Sequence, residues 1–370
     1  MGTDSLIMRC TANMAFRPRT HRTRQISDFA FLVFRYRGLD VLAVPKKSKA
    51  ACLEGVNKLH SHTTRRRIYR ALISCLIRLG GARLLAVDRA SPVGDDFGLD
   101  FQALQAHLQR TLGRPISHVI ATWPSEPSRR RLYVHLLDAD LRAFGFVKLA
   151  FGSERLANLH AEAEALQYLR TRQLPTIRVP KLVSHGKFGD VGYLIMEPLP
   201  ARAEALRVSQ DWDSSVLTAE YSEPSRRLRG AEIRELSWWS NYIENLLPEH
   251  QAFHAELMRL LPLGGDVCRA HGDLGPANMV SDGERTWIFD WESYHSSAPI
   301  LVDPVGFFMS FSVAKIARKP MAHLRNFKDQ FSADESEERC LAVMLAIAYR
   351  HACAIPDAAR LMVAWSMQRA

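Results

Sequence analysis

The spacing of apolar and polar positions changes from zone to zone along this chain, and each spacing predicts a different kind of element. Residues 29–36 and 41–44 read as two strands across the turn-like run Arg37-Gly38-Leu39-Asp40. Residues 65–79 place Ile68, Leu72, Ile73, Leu76 and Ile77 at helical spacing, with Arg65, Arg66, Arg67, Arg70 and Arg78 among the other positions. A second helix is expected over 101–112, closed by Gly113 and Pro115. Between Ile116 and Pro200 the pattern turns to strands. Residues 117–123, 131–137 and 144–151 are partly alternating apolar runs that suit an antiparallel meander. A helix rich in Ala, Leu and Glu follows over 153–172, then two short strands over 179–184 and 192–196. Beyond residue 201 the spacing is mainly helical, over 231–247, 251–261, 336–351 and 357–368. Ser336 serves as an N-cap, and Pro356 stands at the entry of the last helix. No internal repeat interrupts this order.

Composition narrows the class. The chain has 370 residues, 47% hydrophobic and 24% charged, which excludes a disordered polymer. With 20 Gly, 18 Pro and six Cys it is neither collagen-like nor a disulfide scaffold. The cysteines form no CxxC pair, so a zinc site of closely spaced thiols is not expected and a reducing compartment is. No run reaches the roughly 18 apolar residues of a membrane span, and the first residues lack a secretory pattern. The expected location is cytoplasmic, with peripheral contact at the inner membrane face as an option.

Charge divides the chain. The net +10 arises in residues 1–90, which hold 18 Lys and Arg against five Asp and Glu; the other 280 residues hold 31 against 34. The helix over 65–79 therefore has three readings. It packs its apolar stripe on its own domain with the arginines in water, lies on an anionic surface, or contacts RNA. No nucleic-acid recognition motif accompanies it, and no specific nucleic-acid partner is expected.

The densest chemistry lies between Arg269 and Asp303. His271-Gly272-Asp273 is followed after four residues by Asn278, then by an apolar strand, an Asp282-Gly283 turn, a second strand and Asp290-Trp291-Glu292. The hairpin brings Asn278 and Asp290 near each other. Two carboxylates and an amide converging in this way suit phosphoryl transfer, with Asp273 accepting a hydroxyl proton and Asn278 and Asp290 offering hard oxygens to Mg²⁺. Asx side chains that merely cap loop backbone would be the plainer reading.

This stretch resembles the catalytic core of the aminoglycoside phosphotransferase and choline kinase family. The resemblance implies a bilobal, protein-kinase-like α+β fold with a small antiparallel-sheet lobe and a larger, mainly helical lobe. It implies Asp273 as catalytic base, His271 as a brace for its loop, and Asn278 and Asp290 as Mg²⁺ ligands. Lys148 would contact nucleotide phosphates, paired with a helix glutamate; the Ala-Leu-x-x-Leu pattern favours Glu162 over Glu164. The backbone around Met196 and Glu197 would hold the adenine of ATP.

The resemblance runs from about Ile116 to the C-terminus. It divides the chain into a basic α/β extension (1–114), an N-lobe (115–200) and a C-lobe (201–370). One departure is the connection over 123–131, which contains no glycine. The expected partner is a small-molecule hydroxyl compound such as a sugar, an amino alcohol or an aminoglycoside. Trp212, Trp238, Trp239 and Tyr242, set among Asp211, Asp213, Glu220 and Glu223, would either line its pocket or form a helical core. The rival function is a catalytically idle kinase-like protein that binds a partner through its basic region. Oligomeric state is not legible.

Overall fold

The computed structural model describes residues 31–59, 64–93, 98–124, 131–206, 208, 214–311, 327, 329–331 and 336–367. Strands β1 (Phe31–Tyr36) and β2 (Leu39–Pro45) form an antiparallel hairpin. Its turn is only Arg37-Gly38, at φ 53° and 81°, the left-handed pair that a two-residue hairpin loop uses. Helices α1 (Lys49–Asn57) and α2 (Thr64–Arg78), strand β3 (Ala86–Arg89) and helix α3 (Phe101–Leu112) follow. The α3 helix starts on the Asp100 carboxylate and stops at Gly113, which adopts φ 60°.

Strands β4 (His118–Thr122), β5 (Arg131–Leu137) and β6 (Ala143–Phe151) form the expected meander. Next come α4 (Ser153–Arg170), β7 (Ile177–Arg178), β8 (Leu182–Phe188) and β9 (Val191–Met196). The β8 strand lies later than the 179–184 expected for it. Pro180 removes a ladder donor at the anticipated start, and the strand runs on towards the turn at Gly189 (φ 58°), which lies in the interval expected between the two strands.

Among the described residues eight strands share one antiparallel sheet, ordered β3-β1-β2-β4-β5-β6-β9-β8. The pairing of Leu42 with Thr122 and Ala43 with Ala121 joins β2 to β4, so the strands of the basic zone continue the sheet of β4–β9 without a break. Alternation sets the two faces. Phe31, Val33 and Ala43 meet Phe101, Leu104 and Leu108 of α3, while Leu32, Phe34, Leu42 and Val44 meet Cys52, Val56, Ile73 and Ile77 of α1 and α2. Truncating one of these leucines to alanine costs about 2–5 kcal/mol in such a setting. On α2 the single expected stripe splits in two. Ile73 and Ile77 are buried, but Ile68 and Leu72 face solvent, because only one side of the helix meets the sheet.

Beyond β9 lie β10 (Glu204–Ala205), α5 (Ser215–Thr218), β11 (Pro224–Leu228), α6 (Gly230–Arg234), α7 (Ser237–Glu244), α8 (Gln251–Leu260) and β12 (Gly265–Ala270). The one helix expected over 231–247 is two, α6 and α7. Leu236 is extended (ψ 140°), and the break turns Trp238, Trp239 and Tyr242 into the core. The β13 (Met279–Ser281) and β14 (Thr286–Ile288) hairpin sits between β10 and β7 in a second sheet, and β12 lies between β11 and β15 (His295–Pro299) in a third. Helix α9 (Val302–Ser310) precedes α10 (Glu337–Ala352), capped by Ser336, and α11 (Pro356–Met367). Residues of α7, α8, α10 and α11 dominate the helical core of this half. Among the described residues no helix is long and apolar enough to cross a membrane.

Candidate active site

The site forms where the large sheet meets the β13–β14 hairpin. On β6 alternation sends Val147 and Leu149 into the cluster on the α3 side. Phe146, Lys148 and Ala150 point the other way, beneath α4. Lys148 is buried, and its ammonium donates to both carboxylate oxygens of Glu162, at 2.8 and 2.7 Å. The same ammonium bonds Asp290. Glu164 is exposed. Burial alone would lower the Lys148 pKa, but the Asp290 and Glu162 carboxylates outweigh it and the net shift is upward. Burial pushes Glu162 up against the pull of Lys148. For Asp290 burial acts in the same upward sense, but Lys148 prevails and the carboxyl sits below its ordinary value. The shifts of Lys148 and Asp290 both favour their charged forms.

A separate network shapes the loop after β12. The buried Asp303 carboxylate, at the start of α9, accepts from the His271 N–H at 2.6 Å, the Gly272 N–H at 2.8 Å and the Tyr221 hydroxyl at 2.9 Å. Gly272 adopts φ 82°, and a Cβ there would lie 2.1 Å from the Ser293 carbonyl, so this position demands glycine twice over. Its own carbonyl accepts from Arg350 Nη1 at 3.1 Å. His271 Nδ1 accepts from the Asp273 N–H at 3.2 Å, which leaves the ring proton on Nε2 to donate to the Phe289 carbonyl at 3.0 Å. His271 thus ties the Asp273 loop to the strand leading into Asp290.

Asp273 is exposed. Asn278, last residue of the short 3₁₀ turn Pro276–Asn278, donates Nδ2 to the Asp273 carbonyl at 2.8 Å. That orientation leaves the Asn278 side-chain oxygen free of this bond. The Phe289 N–H donates to the Asn278 carbonyl at 3.1 Å, and Asp290 then turns into the left-handed region at φ 67°. Met196 is buried at the end of β9, and the Glu197 N–H donates to the Lys181 carbonyl at 2.9 Å.

Of the residues singled out in the sequence, Lys148, Glu162 and Asp290 meet directly. His271, Asp273 and Asn278 form the adjoining loop, and Met196 and Glu197 lie at the far end of β9. Asp303, Tyr221 and Arg350 escaped the sequence reading, as did the pair of buried Arg131, at the start of β5, with Glu292. Asp303 carried a usable signal. An acid inside the apolar run Ile300-Leu301-Val302-Asp303-Pro304-Val305 must be bonded once buried. Of the two readings, Trp238, Trp239 and Tyr242 take the second: they are buried in the helical core. Trp212, Asp211 and Asp213, and residues 125–130 of the glycine-free connection, lie outside the described residues.

A sequence model of the phosphotransferase enzyme family matches residues 128–314, just over half the chain. A search of curated protein sequences finds no match. Similar solved structures include a provisionally assigned fructosamine-3-kinase from Thermobifida fusca YX-ER1, at 16% identity and TM-score 0.39, covering 67% of this chain and 99% of that one. Another is aminoglycoside-3'-phosphotransferase of type VIII, at 20% identity and TM-score 0.35, covering 59% and 88%. Amicoumacin kinase hAmiN in complex with AMP-PNP, Ca²⁺ and Ami is similar at 12% identity and TM-score 0.35, covering 73% and 94%. At these identities and scores the likeness specifies no substrate. The match over residues 128–314 spans Lys148, Glu162, His271, Asp273, Asn278 and Asp290, and the chain belongs to the phosphotransferase enzyme family.

Proposed function

We propose that the protein transfers the γ-phosphoryl group of ATP, with Mg²⁺, to a hydroxyl of a small molecule. The observation that carries this reading is the buried charge centre of Lys148, Glu162 and Asp290. It holds one cation between two carboxylates, one from α4 and one from the segment after β14, beside the Asp273 loop. In this reading residues 115–200 serve as the nucleotide lobe and 201–370 as the catalytic lobe.

Lys148, held by Glu162, reaches the nucleotide phosphates. Glu197 has its N–H bonded to Lys181, and Pro198 and Pro200 have none. The adenine edge is therefore held by the Glu197 carbonyl and the Leu199 N–H, so the contact extends two residues beyond the Met196-Glu197 pair. Asp273 orients the acceptor hydroxyl and takes its proton as the new P–O bond forms and the bond to the ADP leaving group breaks.

Among the described residues no group of three His, Cys, Asp or Glu side chains could hold a metal ion alone. The donor set here is one carboxylate and one amide oxygen, which fits Mg²⁺, an ion that takes its remaining ligands from water and phosphates. Asp290 and Asn278 would hold it, and its charge would offset that of the phosphate oxygens. Arg131 stands where the glycine-free connection enters β5, and its pairing with Glu292 ties that strand to the Asp290 segment.

The test is ATP consumption over a panel of sugars and amino alcohols, with and without Mg²⁺. The expected result is Mg²⁺-dependent consumption that rises with one class of hydroxyl compound. ATP binding without turnover on any acceptor would favour the idle-scaffold reading.

A further inference from the structure

Helix α2 carries two apolar faces. At 3.6 residues per turn, Ile73 and Ile77 lie opposite Ile68, Leu72, Cys75 and Leu79, a stripe that extends one residue past the end of the helix. The first pair is buried against the sheet. The second set faces outward: Ile68 is 65% exposed, Leu72 47% and Leu79 78%, and Cys75 is exposed as well. Leu84 and Val87, just after the Gly80-Gly81 turn, are exposed as well. Exposed Arg65 and Arg78 flank the stripe, and α2 contains no acidic residue.

Between residues 31 and 90 the acidic residues are Asp40, Glu54 and Asp88, which pair with Arg35 and Arg89, with Lys58 and with Lys46. An apolar ridge bordered by arginines matches an interface with an apolar interior and an anionic rim. We propose that the outer face of α2 seats the protein on an anionic phospholipid surface, with Ile68, Leu72 and Leu79 entering the interface and the arginines at the headgroup phosphates.

Charge excludes the nearer occupants. A second copy packed on the same face would set arginine against arginine. Residues 1–30 are themselves basic, with five Arg against two Asp. RNA offers phosphates but no apolar interior for the ridge, which occupies the centre of the face.

The full chain is floated with vesicles of phosphatidylserine and phosphatidylcholine in equal amounts, and with vesicles of phosphatidylcholine alone. Binding is expected to the first and not the second. Ile68→Ser/Leu72→Ser/Leu79→Ser and Arg65→Glu/Arg78→Glu should each weaken it at least about tenfold, with phosphotransfer in solution unchanged. No binding to the anionic vesicles overturns the proposal. So does undiminished binding of the serine variant, which would be electrostatic adhesion only. Loss of a vesicle-free dimer in that variant would assign the face to a second copy, and retention on RNA but not vesicles would assign it to nucleic acid. Should the triple variant fail to fold, the single Leu79→Ser, beyond the last helical residue, reads the apolar contribution alone.

Discussion

The ammonium of Lys148 on β6 bonds the Asp290 carboxylate that follows β14, 142 residues later in the chain, while holding both oxygens of Glu162 on α4. One buried cation thus joins the large sheet, its covering helix and the hairpin that ends at Asp290. Removing it leaves two acids without their partner, and Lys148→Met should lower the unfolding free energy by about 3–5 kcal/mol. Lys148→Met with Glu162→Leu should cost clearly less than the two single changes together. Urea unfolding of the four proteins measures the coupling, and additivity within about 0.5 kcal/mol would mean the groups do not act as one centre.

Asp303 touches no reacting atom in this account, yet it fixes the backbone that presents Asp273. Asparagine at 303 has one acceptor oxygen for three donors, and its NH₂ would confront at least one of them. Asp303→Asn is expected to lower stability by about 1–3 kcal/mol. Turnover should fall about a hundredfold through misplacement of Asp273, with nucleotide affinity retained. Wild-type kcat in a folded Asp303→Asn protein would remove Asp303 from the positioning network.

Gly272 and Gly283 both have positive φ, at 82° and 96°, but only Gly272 is enclosed. At 283 nothing lies within 4 Å of an added Cβ, so Gly283→Ala meets only the backbone penalty of about 1–2 kcal/mol. At 272 the same methyl meets the Ser293 carbonyl. Gly272→Ala should therefore be the more destabilised by several degrees in melting temperature, and inactive. Equal melting temperatures for the two variants would show that the close approach does not matter.

Much of this was legible in the sequence because local signals agreed. The meander over β4–β6, the Asp100 and Gly113 stops of α3, and the Ser336 cap each follow from short-range chemistry. His271, Asp273, Asn278 and Asp290 stood out because their spacing fits a loop and a hairpin. What escaped depends on distant parts of the chain. Nothing local to residues 39–45 says that β2 pairs with β4 across some eighty residues, or that Asp303 reaches back to His271. The split of 231–247 was hidden because both pieces have helical spacing, and the break follows from how the tryptophans enter the core. The outer stripe of α2 was hidden for the converse reason: spacing shows that apolar residues recur, not which side of the helix meets the sheet.

The histidines of the helical half give a pH dependence with a definite sign. Burial lowers His250, His254 and His295 from the ordinary 6.5, and His351, whose ring lies 4.8 Å from that of His250, adds to the effect there. Each folded value lies below the unfolded one. The neutral rings therefore contribute stability that is present above the unfolded pKa and lost as pH falls below it. Thermal melts between about pH 7.5 and 5.5 should show a falling melting temperature, with a shallower fall in His250→Asn, whose side-chain oxygen can still accept the Leu247 N–H. A melting temperature that rises on acidification would contradict the assignment of these rings as neutral when folded.

The most direct test compares wild type with Asp273→Asn on an accepting hydroxyl compound, with nucleotide binding measured on the same two proteins. General-base catalysis by Asp273 predicts turnover reduced about 10²–10⁴-fold, with ATP affinity essentially unchanged. Turnover at the wild-type rate in Asp273→Asn would contradict the account at its centre.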